Sequence, residues 1–161
     1  MSDRPTIRDA RPGETDRLTE VAWTAKGHWG YPAAWMEAWR PALTLTAAFV
    51  EAHPVFVAVD ADDRPLACAA LVPDGADVQL EHVWVAPEAM GRGLGRALVA
   101  HAAAAARALG GRTLWIDSDP NAAAFYERLG AEPAGTVRAD VCGTRRELPR
   151  LRLDLAASGG R

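Results

Sequence analysis

Met90-Gly91-Arg92-Gly93-Leu94-Gly95-Arg96 places three glycines at alternate positions just before a helical pattern. Glycine permits positive φ and lets the backbone approach a ligand closely. The first amides of a helix have no intrahelical partner and point outward along a favourable dipole. The segment is therefore suited to a phosphate or pyrophosphate, and Arg92 and Arg96 add positive charge. It is not a P-loop, because no Gly-Lys-Ser/Thr follows. Nor is it the dinucleotide fingerprint, whose glycine spacing differs and whose strand opens its domain. The spacing by itself does not separate a phosphate cradle from an ordinary glycine turn, and a nucleotide-phosphate binder of another fold stays open at this point.

Other reactive side chains carry less information. His28, His53, His82 and His101, with Cys68 and Cys142, show no metal-ligand spacing, so no metal is expected. Cys68 lies in an apolar run and reads as a small buried hydrophobe. Cys142 sits in a Gly- and Arg-containing stretch without a nearby base, a poor setting for a nucleophile. Two cysteines make no disulfide framework.

The elements that must position these residues follow from periodicity. Thr6 to Ala10 reads as a first strand, broken by Arg11-Pro12-Gly13. Leu18, Val21, Ala22 and Ala25 mark one face of an amphipathic helix. A second helix is expected with Pro32 in its first turn and Trp35, Met36 and Trp39 along one side. A shorter one is expected near Thr46 to Ala52. The period then changes to that of strands over Val55–Val59, Leu66–Val72 and Val78–Ala86. After the glycine turn, Leu94, Leu98, Ala102, Ala105 and Leu109 repeat at helical spacing, and Gly110-Gly111 ends that helix. Thr113 to Ile116 is a strand. Asp119 is expected to cap a late helix with Pro120 at its first position and Gly130 as its stop. Two strands near Ala134–Arg138 and Leu148–Leu155 complete the chain, with a flexible tail over 156–161. The expectation is one mixed α/β domain over residues 1–161, with an ordered core over 5–155.

Composition bounds the partners. The chain has 161 residues, 49% hydrophobic and 24% charged, with a net charge of -3. That size suits one core. The absence of a basic excess argues against nucleic acid. Met1 to Pro5 lacks the apolar segment of a signal peptide, and no run suits a membrane span. A cytoplasmic protein is the expectation.

Three segments together resemble the Gcn5-related N-acetyltransferase (GNAT) superfamily: the strand Leu80 to Glu88 ending in V-x-V-x-P-E, the R-G-x-G-x-G-R-x-L turn, and the N-A-x-x-F-Y-E-R-x-G helix from Asn121 to Gly130. They occur in the family's order and approximate spacing, within Glu81 to Gly130. The resemblance implies a mixed, mostly antiparallel central sheet with a splayed parallel strand pair and helices on both faces. It implies acetyl-CoA as donor. Val83, Trp84 and Val85 would pair with the pantetheine arm, and an amide near Val85 would polarise the thioester carbonyl. Gly91, Arg92, Gly93, Leu94, Gly95 and Arg96 would surround the pyrophosphate, and Asn121 would contact the coenzyme. Met90 departs from the pattern, since the family usually carries Gln or Arg there; weakened coenzyme binding is the expectation.

By the same resemblance Tyr126 protonates or orients the coenzyme A sulfur. Glu81 is the leading base or amine anchor; it shares a strand face with Val83 and Val85 by the two-residue period. Gln79, where other members place a glutamate, cannot act as a base. His82 is expected on the opposite face. In the family the first two helices cover the acceptor, so the aromatic residues there bear on its identity. Trp23, Trp35 and Trp39 read as core, whereas His28, Trp29 and Tyr31 in the Gly-flanked break are the pocket candidates, suited to an apolar or cationic amine. The implied function is acetyl transfer to a small-molecule or peptide amine. A catalytically silent acyl-CoA-binding module is the alternative, and members of the family are often homodimers.

Overall fold

The structure is a computed structural model that describes residues 5–156. The N-terminal reading of Met1 to Arg4 and the tail beyond Ala156 lie outside the described residues. The elements run β1 (Thr6–Asp9), α1 (Thr15–Gly27), α2 (Ala33–Leu43), α3 (Ala47–Ala52), β2 (Val55–Val59), β3 (Pro65–Asp74), β4 (Asp77–Val85), α4 (Leu94–Ala108), β5 (Thr113–Asp117), α5 (Ala123–Arg128), β6 (Glu132–Arg138) and β7 (Glu147–Asp154). Single 3-10 turns at Pro12–Glu14 and Pro87–Ala89 precede α1 and the glycine turn. The strands form a seven-stranded sheet in the order β1-β2-β3-β4-β5-β7-β6. Its pairings are antiparallel except between β4 and β5, which run parallel. A parallel pair needs a long crossover, and α4 supplies it.

The β4–β5 pairing is short. It covers Asp77↔Thr113, Val78↔Leu114 and Gln79↔Trp115, whereas β4 continues to Val85 and β5 to Asp117. Among the described residues β4 and β5 are the one parallel pair that the resemblance implies.

The chain divides into two compact units: one holds the residues up to Ala70 together with His82–Ala102, the other Leu71–Glu81 together with the residues from Ala103 onward. The first unit has a core of Leu18, Ala22, Met36, Leu43, Leu45, Val50, Val55, Val57, Val59, Cys68 and Ala70, with Trp23, Tyr31, Trp39 and Trp84 packed against it. The α1 stripe read from the sequence is buried as expected. Pro32 stands one position outside α2 as its N-cap residue, where its carbonyl accepts the Trp35 and Met36 amides. Thr46 caps α3 through its side chain, which accepts the Phe49 amide at 3.1 Å.

In the second unit the strands bury one face. Val78, Leu80, Leu114, Ile116 and Leu151 are buried, while the alternate residues Asp77, Glu81, Asp117 and Arg152 are exposed. Gly111 fits beneath Val78: a Cβ there would lie 2.7 Å from the Val78 Cγ2 and 2.8 Å from the Ala106 carbonyl oxygen. The late helix departs from expectation. Asp119 does not cap it; its carboxylate accepts the Asn121 amide at 2.8 Å and its carbonyl the Ala122 amide at 2.9 Å, which closes a separate turn. α5 starts at Ala123, with Ala122 as its N-cap residue.

Candidate active site

In the first unit the end of β4 leads through Pro87–Ala89 into the glycine turn. Gly91 has φ 81° and Gly93 φ 79°, a conformation open to glycine at little cost. A Cβ at either would meet nothing within 4 Å, so glycine is required there by the backbone angle and the surrounding space is open. The Gly93 carbonyl accepts the Ala97 amide at 3.0 Å, and α4 runs from Leu94. Arg92 and Arg96 are exposed. The Arg92 guanidinium donates to the Glu88 carbonyl at 3.2 Å, which ties the turn to the segment before it. Met90 is 37% exposed, and its thioether has no hydrogen to donate. An open turn with exposed arginines and the start of a fifteen-residue helix fits a pyrophosphate.

On β4, Val83, Trp84 and Val85 are half-buried. The Trp84 indole N–H donates to His82 Nδ1 at 2.8 Å, so the two rings share one side of the strand, as alternation predicts. Accepting that bond leaves the ring proton on Nε2. Burial pushes the His82 imidazole down to about 4, which keeps it neutral near pH 7 and makes it a weak base. Phe49 meets His82 edge-on, with ring centroids 5.6 Å apart. Cys68, buried on β3, is pushed up to about 12 by its desolvation and remains a thiol.

The aromatic candidates of this unit fall into two groups. Exposed His28 and Trp29 pack on each other, with ring centroids 5.7 Å apart. Tyr31 instead stacks on Trp35 at 5.8 Å and meets Trp39 edge-on at 5.0 Å. The Lys26 ammonium lies over the Tyr31 and Trp39 rings, at 5.0 and 4.4 Å from their centroids. Lys26 is the single lysine among the 18 basic residues of the sequence. Sequence reasoning passed over Lys26, and the signal it offered was that scarcity.

In the second unit Tyr126 is 7% exposed and packs beside Phe125, with ring centroids 5.0 Å apart. Its hydroxyl makes no hydrogen bond among the described residues, yet its oxygen is not fully enclosed. Burial, then the charge of Asp119, raises the phenol well above its ordinary value. Tyr126 is thus a neutral O–H with its donor capacity unspent. Asn121 is exposed on the turn closed by Asp119, rather than within the late helix. Glu81 is exposed and makes no hydrogen bond or ion pair among the described residues. Among the described residues no cluster of His, Cys, Asp and Glu could hold a metal ion. No helix among them is long and apolar enough to cross a membrane.

The model of the acetyltransferase (GNAT) family matches residues 15–131, nearly three quarters of the chain. The chain belongs to that family. Acetyl transfer is accordingly its general chemistry. Solved structures of low identity share its fold. A GCN5-related N-acetyltransferase from Rhodopseudomonas palustris has a TM-score of 0.79 at 18% identity, covering 96% of this chain and 98% of its own. The PaiA N-acetyltransferase from Thermoplasma acidophilum, in complex with coenzyme A, has a TM-score of 0.72 at 16% identity, covering 94% and 99%. The yncA protein from Salmonella typhimurium, with its cofactor acetyl-CoA, has a TM-score of 0.70 at 23% identity, covering 95% of each chain. No curated protein matches the chain.

Proposed function

We propose that residues 5–155 act as one N-acetyltransferase domain that moves the acetyl group of acetyl-CoA directly to a primary amine of a small molecule or peptide. The donor reading rests on the family and on the glycine turn, whose positive φ angles and open surroundings suit a pyrophosphate. Val83, Trp84 and Val85 would hold the pantetheine arm, Gly91 to Arg96 the pyrophosphate, and Asn121 a further part of the coenzyme. An amide near Val85 would stabilise the oxyanion as the carbonyl is attacked. Glu81, exposed and unpaired, anchors the incoming amine and takes its proton, directly or through water. The carbon–nitrogen bond forms, the carbon–sulfur bond breaks, and Tyr126 gives its proton to the departing thiolate. The reading includes a cytoplasmic, metal-free enzyme.

The observation that carries this over the silent acyl-CoA-binding alternative is the Tyr126 hydroxyl. It is buried, protonated and without an acceptor of its own. Its oxygen is not fully enclosed, so the O–H is open to a ligand that enters, and a departing thiolate is an acceptor to which it can donate. The test follows free thiol while the protein is incubated with acetyl-CoA and a panel of primary amines. Release that needs both an amine and Tyr126 is the expected result. Tight acetyl-CoA binding with no release across the panel would instead establish the silent module.

A further inference from the structure

The second unit carries an arginine whose ion pair is loose and whose Nε lacks a hydrogen bond among the described residues. Arg150 on β7 faces Asp117 on β5 in register, and its guanidinium lies over the Trp115 ring, 4.5 Å from the centroid. The indole beneath it is fixed, because its N–H donates to the Asp77 carboxylate at 2.9 Å. Asp117 approaches Arg150 Nε only to 3.8 Å, too far for a hydrogen bond. That Nε is buried and has no hydrogen-bond partner among the described residues. The side chain as a whole stays 36% exposed. The guanidinium is therefore held from behind by an aromatic face and a carboxylate, with its outer nitrogens presented to solvent. Arg152, two residues on and exposed on the same face, has no partner among the described residues either.

Such a guanidinium is preorganised for a planar anion. Its fork matches a carboxylate, and stacking on an indole removes the rotamer freedom that weakens most exposed arginines. The register supplies the neighbour. Trp115 pairs with Gln79 on β4, and Glu81 follows Gln79 on the same strand face. Where all three strands are paired, up to Gln79 and Trp115, β4 and β7 lie roughly 10 Å apart across β5, and Glu81 and Arg150 stand just past that point. Arg150 leans over β5 into that interval. The open face thus offers an unpaired carboxylate at one side and a loosely paired guanidinium at the other.

We infer that Arg150, seated on Trp115, is the specificity-determining residue for an acceptor that carries a carboxylate beside its primary amine, as an amino acid does. Its outer nitrogens bind the acceptor carboxylate, and the amine lies toward Glu81. This rests on the acetyltransferase reading and narrows its acceptor class.

Matched pairs of amines test it, each an amino acid and its decarboxylated counterpart, such as phenylalanine with phenethylamine and lysine with cadaverine. Thiol release from acetyl-CoA gives kcat/KM for each, and titration calorimetry in the presence of coenzyme A gives binding without turnover. The protein should favour the carboxylated member by about 10- to 100-fold, the span of one charge-assisted hydrogen-bond pair. In Arg150→Gln that ratio should fall to within about twofold, mainly through KM, and Arg150→Lys should keep part of it. Circular dichroism on each variant separates loss of preference from loss of fold. A wild-type protein indifferent to the carboxylate, in binding and in rate, overturns the inference. So does an Arg150→Gln variant that retains the preference. Carboxylate-dependent binding without thiol release from any amine would uphold the subsite and overturn the acetyltransferase reading instead.

Discussion

The Tyr126 phenol and the His82 imidazole are both largely buried, and burial penalises the charged form of each. For Tyr126 the charged form is the phenolate, so the group holds its proton through the alkaline range and suits an acid. Tyr126→Phe should lower kcat about 100-fold. Since the hydroxyl has no partner to lose, the melting temperature should stay within about 2 °C. For His82 the charged form is the imidazolium, so the folded state binds its proton less readily than the unfolded chain does. The folded group titrates near 4 and the unfolded one near 6.5. The stability this represents is fully present above pH 6.5 and is lost as pH falls toward 4. The bond from Trp84 to Nδ1 has the same sense, because a proton on Nδ1 would break it. Between pH 7 and pH 5 the loss should be on the order of 1–2 kcal/mol. Thermal melts of wild type and His82→Gln at the two pH values check this; equal pH dependence in both would remove His82 as the cause.

At the scale of elements, the glycine turn and the end of α4 require glycine for different reasons. At Gly91 only the backbone angle matters, since a Cβ would stand in open space. Gly91→Ala should cost about 1 kcal/mol of stability. It should also weaken acetyl-CoA binding about tenfold by moving the amides that face the phosphates. At Gly111 a side chain would press on Val78 and on the Ala106 carbonyl. Gly111→Ala should therefore destabilise by roughly 1–3 kcal/mol, with acetyl-CoA affinity kept. Calorimetric Kd values beside thermal melts distinguish the two patterns. The elements themselves were largely legible: β2 falls on Val55–Val59 as read, because five consecutive apolar residues between turn signals admit little else. The start of α5 was not, because a carboxylate that can cap a helix can equally close a turn, and Asp119 bonds Asn121 instead. Among the candidate residues, Glu81, Tyr126 and the glycine turn were legible through local motifs. Arg150 was not, since its seat on Trp115 depends on the long-range register of β5 against β7.

For the whole molecule, the open question at the sequence level was whether the glycine turn holds any phosphate or a coenzyme in particular. The turn alone cannot discriminate, because backbone amides and a helix dipole recognise a phosphate whatever it is attached to. Discrimination needs contacts away from the phosphates, and the proposed site supplies them along β4 beyond Gln79, where the pairing with β5 has ended. A ligand that binds only the native state stabilises it in proportion to its affinity. At 100 times its Kd, acetyl-CoA should add about 2.7 kcal/mol, which for a chain of 161 residues is roughly 5–10 °C in melting temperature. A nucleoside diphosphate, which offers the same phosphates without a pantetheine arm, should add less than a third of that at equal concentration. Differential scanning fluorimetry with both ligands reads the difference directly. Equal shifts would mean that the strand contributes nothing to binding, and that the turn is a general phosphate cradle in which the acetyl donor has no special place.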